Sequence, residues 1–156
     1  MESKSPLETT ALPDLPEEEA AVSKDLDNSK PDSPEPFLIL VVDDSADNVA
    51  MLSLALQQEG YRVVTATNGE EGISVARHTQ PNLILMDISM PRLDGLGATR
   101  RMREIDELRD VPVIAITAFG TEGFQRAAYD VGVSGYLTKP VDFRRMHHLI
   151  ARLLAP

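Results

Sequence analysis

The 156-residue chain carries 25 acidic and 15 basic side chains, a formal charge of −10, and no cysteine. Without cysteine it has no disulfide framework, thiolate zinc site or cysteine nucleophile, and its acidic balance opposes non-specific nucleic-acid binding, which needs Lys and Arg to neutralise phosphates. No apolar run approaches the roughly 18 residues of a membrane span and no basic-then-apolar leader opens the chain, so a cytoplasmic protein is expected.

Residues 1–36 hold six of the eleven prolines, none of the nine glycines, none of the seven aromatics, and ten acidic against three basic side chains. Such a stretch cannot bury enough surface to offset its ordering entropy, which predicts a disordered, acidic, Pro-rich arm. A short helix over residues 17–26 fits the local pattern of Pro16 followed by glutamates, but about ten residues are marginal alone. The arm reads as a solvated spacer or as a segment that folds on a partner. Residues 37–156, with 15 acidic and 12 basic side chains, suit one compact domain.

Five short runs rich in Val, Ile and Leu follow, at 37–42, 62–66, 82–86, 111–116 and 134–137. Each precedes a longer segment with helical spacing. In the first, Val49, Leu52 and Leu56 recur at i, i+3 and i+7, and Gly60 closes the helix as a C′ residue. The later helices are predicted over 69–78, 95–107, 121–131 and 141–154. A fivefold β-α alternation with nearly continuous apolar strands predicts a parallel sheet covered by helices on both faces, an α/β fold. Ligands of open sheets of this kind sit beyond the carboxyl ends of the strands.

Four of those ends carry chemistry: Asp43 and Asp44 after the first strand, Asp87 after the third, Thr117 after the fourth, and Lys139–Pro140 after the fifth. Three carboxylates gathered at one edge repel one another. An oxygen-seeking divalent cation would relieve that, and Mg²⁺ suits a site of few protein ligands plus water, with Mn²⁺ the alternative. Lys139 is the only lysine of the domain beside eleven arginines, as expected where a compact ammonium is wanted for phosphoryl oxygens. Taken singly, Asp43–Asp44 would pass for helix caps, Thr117 for a β-branched strand residue and Tyr136 for an aromatic at a core edge.

Together, VVDDS (41–45), LMDISMPRLDG (85–95), AITA (115–118) and GYLTKP (135–140) resemble the motifs of response-regulator receiver domains of two-component signalling, of the chemotaxis-Y-like type. The match spans residues 37–156 with every diagnostic position in order. The resemblance implies a flavodoxin-like (βα)5 fold and a phosphoacceptor, Asp87, that takes a phosphoryl group from a phosphohistidine. It implies Mg²⁺ on Asp44 directly, on Asp43 largely through water, and on Asp87 and the Ser89 carbonyl. Lys139 and Thr117 would bind phosphoryl oxygens, and the small Ala118 would leave them room. Thr117 and Tyr136 match the family's switch pair, which reshapes the face of the fourth helix, fifth strand and fifth helix. Pro140 matches a cis proline that aims Lys139; Pro91 restricts the loop after Asp87; and Gly95 is expected to supply a positive φ.

Ser89 and Phe119 flank the approach of a hydrolytic water and would tune phosphate lifetime. Asn48, Met51 and Ala55, at i, i+3 and i+7 on the first helix, would dock a histidine kinase or phosphotransfer domain. His147 and His148 read as surface or packing residues. The chain is expected to be a stand-alone receiver that acts through a downstream protein and catalyses only its own phosphorylation and dephosphorylation. A phosphorylation-independent adaptor with the same fold is the alternative; a small-substrate phosphohydrolase would need a cap insertion that these short loops leave no room for.

Overall fold

The computed structural model describes residues 35–89, 94–118 and 120–156. The expectations for residues 1–34, Pro91 and Phe119 lie outside the described residues. The unit Pro36–Pro156 runs β1 (Leu38–Val42), α1 (Ala46–Gln58), β2 (Arg62–Ala66), α2 (Gly69–Thr79), β3 (Leu83–Asp87) and α3 (Gly95–Arg103). A 3₁₀ turn (Asp106–Leu108), β4 (Val113–Thr117), α4 (Glu122–Val131), β5 (Gly135–Thr138) and α5 (Phe143–Leu154) complete it.

The strands form one parallel sheet in the order β2-β1-β3-β4-β5, the flavodoxin-like arrangement expected from the alternation. Their apolar residues divide by parity, because successive side chains of a strand point to opposite faces. Ile39, Val41, Leu83, Leu85, Ile114 and Ile116 pack with Leu52 and Leu56 of α1 and Met146 and Ile150 of α5. Leu40, Val42, Ile84, Met86, Val113 and Ala115 pack with Ile73 and Ala76 of α2, Ala98 and Met102 of α3 and Ala128 of α4. Two cores, one per face, account for strands that carry almost no polar residue.

Each of the five described α-helices begins on a side-chain cap. Ser45, Asn68, Asp94, Thr121 and Asp142 each accept a backbone N–H from the first turn beyond. Each satisfies a donor that the helix itself leaves orphaned. These caps correct two predicted starts: α4 begins at Glu122 after Thr121, and α5 at Phe143 after Asp142. The predicted helix 95–107 ends early, at Arg103. Ile105 turns extended, and this brings Leu108 to full burial in the core. The Arg103 guanidinium donates to Gly132 O and Leu108 O, which ties the broken end down.

Gly60 closes α1 as expected, at φ +94°. Gly95 does not: it has no positive φ, which corrects the reading from sequence. Its role is close approach. A Cβ there would stand 2.5 Å from Asp87 O and 2.6 Å from Ile88 Cα, so α3 meets the end of β3 backbone to backbone. At Gly123, in the first turn of α4, an added Cβ meets nothing within 4 Å. Gly95→Ala should therefore cost about 1–3 kcal/mol through overpacking, whereas Gly123→Ala should gain about 0.5–1 kcal/mol from helix propensity. Urea unfolding of the two variants checks this, and equal effects would refute the close-approach reading.

Candidate functional site

Parallel strands deliver their carboxyl ends to one edge, and the ladder continues past them. Asp43 N–H donates to Ala66 O at 3.1 Å, and Lys139 N–H donates to Thr117 O at 2.8 Å. Asp87 and Thr117 are themselves the last residues of β3 and β4, one residue later than the sequence pattern placed those strand ends. Backbone hydrogen bonds thus fix Asp43, Asp87, Thr117 and Lys139 before any side chain interacts.

Asp43, Asp44 and Asp87 each bring a carboxylate oxygen within 4.8 Å of the others. Asp43 and Asp87 are 2% exposed, whereas Asp44 faces solvent. The Asp87 Oδ1 accepts the Ser89 N–H at 3.1 Å and lies 3.4 Å from Lys139 Nζ. Asp43 Oδ1 accepts the Ser45 N–H at 2.8 Å, and its Oδ2 accepts from Asn48 Nδ2 at 3.3 Å. Burial pushes the Asp43 carboxyl above its ordinary range, and the Asp87 charge pushes the same way. The Ser45 N–H, the Lys139 ammonium and the Asn48 amide pull it back.

The donor set suits a hard divalent cation. The oxygens come from carboxylates, burial and the Asp87 charge oppose ionisation of Asp43, and one side stays open through Asp44. Around Mg²⁺ neighbouring oxygens are about 3.0 Å apart and opposite ones about 4.2 Å, so these three, within 4.8 Å of one another, would draw together on binding.

Thr117 is fully buried, and a side-chain hydrogen bond links it to Tyr136. Tyr136 lies inside the fold, packed in the core of the α2–α4 face, so one half of the expected switch pair already points inward. The Lys139–Pro140 peptide bond is cis. Ala118 and Ser89 are exposed at the mouth of the site.

The three residues expected to dock a partner fare differently. Met51 is 49% exposed, Ala55 packs against the α1/α5 core, and Asn48 is half-buried with its amide on Asp43. Ala55 therefore belongs to the helix's inner flank rather than beside it. Asn48 and Met51 still line a groove of about 450 Å³ with Lys139, Pro140 and Phe143. The support Asn48 gives to Asp43 was missed from sequence. Its signal was Ser45 at the N-cap with Asn48 three residues on, a spacing that returns the side chain over the first turn. His148 is exposed, while His147 is half-buried with an Nδ1 that meets no partner.

A family model described as the response regulator receiver domain matches residues 39–151. The polar-differentiation response regulator DivK of Brucella anthropi is 34% identical over 119 residues, which cover 76% of this chain and 97% of DivK. Protein PilH of Pseudomonas aeruginosa is 38% identical over 117 residues, covering 75% of this chain and 97% of PilH. A sensor histidine kinase receiver domain from Pseudomonas aeruginosa, solved with a magnesium ion in its active-site cleft, has a TM-score of 0.71. It is 32% identical, over 76% of this chain and 98% of that one.

The raised Asp43 value has a direct consequence for stability. A carboxyl with a folded pKa above its unfolded value of about 3.9 contributes stability below that pH and loses it as pH rises through the folded value. Asp43→Asn keeps an acceptor for the Ser45 N–H and cannot ionise. In chelator, it should be more stable than wild type at neutral pH, by on the order of 1 kcal/mol, with the gap closing towards pH 4. Urea midpoints against pH measure this; a less stable variant at neutral pH would contradict it.

Proposed function

The chain belongs to the response-regulator receiver family of two-component systems, and on that premise we propose that Asp87 is its phosphoacceptor. Members of this family are signalling phosphoacceptors, not metabolic enzymes, that meet histidine kinases or phosphotransfer proteins and downstream targets. The observation that carries the proposal is a buried nucleophile beside its counter-charge: Asp87 Oδ1 stands 3.4 Å from Lys139 Nζ, within a cluster of three carboxylates.

In this reading a carboxylate oxygen of Asp87 attacks the phosphorus of a phosphohistidine. The new O–P bond makes an acyl phosphate, and the broken P–N bond returns its electron pair to the imidazole. Phosphoryl transfer of this kind depends on position and charge neutralisation more than on covalent help. Asp43, Asp44, Asp87 and the Ser89 carbonyl would hold Mg²⁺, which supplies positive charge for the phosphoryl oxygens when bound. Lys139 pairs one phosphoryl oxygen as a point charge, and Thr117 donates its hydroxyl to another. Asn48 holds Asp43 in place. Ser89 and Phe119 set the access of water to the product and hence its lifetime.

Residues 37–156 form the receiver and residues 1–36 an acidic arm, a division we assign from composition. The site of action we propose is the cytoplasm; among the described residues no helix is long and apolar enough to cross a membrane. The groove beside Met51 and Lys139 receives the donor, and the face of α4, β5 and α5 carries the output through Thr117 and Tyr136.

Incubation with acetyl phosphate and Mg²⁺ should add one phosphoryl group to wild type and none to Asp87→Ala, read by intact mass. A gain in both, or in neither, overturns the assignment. Met51→Glu should slow transfer from a cognate phosphohistidine donor about tenfold, the loss of one good apolar contact, and leave uptake from acetyl phosphate unchanged. Equal donor rates would remove Met51 from the docking groove.

A further inference from the structure

Helix α2 carries charges that it cannot pair within itself. Glu70, Ile73, Ser74 and Arg77 recur at i, i+3, i+4 and i+7 and so share one stripe. Ile73 is 7% exposed and packs into the core, while Glu70, Ser74 and Arg77 are exposed. Glu70 and Arg77 stand about 10 Å apart along the helix axis, too far for an ion pair within one helix. Arg101 of α3 and Glu107 of the 3₁₀ turn line the same cleft, of about 450 Å³. Among the described residues, none of these four charged side chains forms an ion pair. His78 at the rim donates its Nδ1–H to Ser74 O at 2.9 Å.

Two arginines and two glutamates leave this cleft without net formal charge, in a chain that carries −10. A second copy meets no net repulsion there. The order of the charges matters more. Turned end to end about a two-fold axis at Ser74, α2 sets Glu70 against the partner's Arg77 and Arg77 against the partner's Glu70. We propose that α2 forms a symmetric interface with a second copy of this chain, the two helices antiparallel across Ser74. Ser74 is the exposed residue nearest the midpoint of the 70–77 span, and its small side chain lets two helices cross closely on the axis. Each α2 then borders the cleft of the other copy, where Arg101 and Glu107 add a cation and an anion. An acidic or a basic partner protein would match only half of these charges, whereas a two-fold copy matches both kinds at once.

The cleft is separate from the carboxylate edge and from the output face. Its lining residues belong to α2, α3 and the 3₁₀ turn, and none of Asp43, Asp44, Asp87, Thr117 and Lys139 is among them. The inference therefore does not rest on the phosphoacceptor reading, and pairing is expected without phosphate. Exposed charge pairs are screened by salt, so the association should weaken as ionic strength rises.

Sedimentation equilibrium of the full chain at low salt measures the pairing. Glu70→Arg and Arg77→Glu each set like charges together twice, once on either side of the axis. Each variant alone should therefore dimerise at least about tenfold more weakly than wild type. The exchange Glu70→Arg/Arg77→Glu keeps the net charge and should regain wild-type affinity. An equimolar mixture of the two single variants should form a heterodimer, because one presents two cations where the other presents two anions. A wild type still monomeric at about 1 mM, a dimer insensitive to both substitutions, or single variants that stay apart on mixing overturns the proposal. So does association that appears only with acetyl phosphate and Mg²⁺, which would place the contact on another face. A monomer that instead takes inorganic phosphate at Arg77 and Arg101, read as NMR shifts of those residues, overturns it as well.

Discussion

Two buried carboxylates and a third at the surface share one edge of the sheet, and the rest of the molecule is arranged around holding them there. Asp43 and Asp87 lie at the ends of adjacent parallel strands, so the register that pairs Val42 with Met86 also brings their charges together. At the 4.8 Å limit of their separation, two such charges repel by roughly 3–4 kcal/mol at an effective dielectric of 20. That is a sizeable part of the 5–15 kcal/mol that stabilises a typical domain. Two apolar cores and five capped helices offset it, and the polar partners aimed at the cluster (the Ser45 and Ser89 N–H groups, Asn48 and Lys139) reduce it locally. The remaining excess of negative charge makes the edge receptive to a divalent cation.

The same backbone pairing gives the site a route outward. β4 and β5 are neighbours, and the Lys139 N–H to Thr117 carbonyl bond extends their ladder by one step. Thr117 turns its side chain to the α2–α4 face, where Tyr136 meets it. Thr117 and Tyr136 thus link the carboxyl edge of the sheet to the cavity between α4 and α5.

Much of this was legible in the sequence because parallel sheets impose strong patterns. Continuous apolar runs marked all five strands, and the strand ends named the cluster before its geometry was known. What escaped was set by local competition. Strands β3, β4 and β5 run one residue further than their apolar runs, since ladder hydrogen bonds ignore side-chain polarity and carry Asp87, Thr117 and Thr138 into the sheet. The helical pattern of residues 95–107 continues past Arg103, but burial of Leu108 competes with propagation and wins. Gly95 was legible as a required glycine and not as to why, because a close approach between α3 and β3 is a long-range property. Asn48 pointed to a docking face by its helical position, whereas its amide is spent on Asp43.

The account stands on relief of carboxylate crowding by a bound divalent cation, and the most direct measurement is the unfolding free energy of the full chain against Mg²⁺ concentration at constant ionic strength. Above the dissociation constant, one site adds about 1.4 kcal/mol of stability per tenfold rise in Mg²⁺. The account predicts that slope for wild type and a flat line for Asp44→Ala/Asp87→Ala. A flat line for wild type, or the same slope in both proteins, would contradict it.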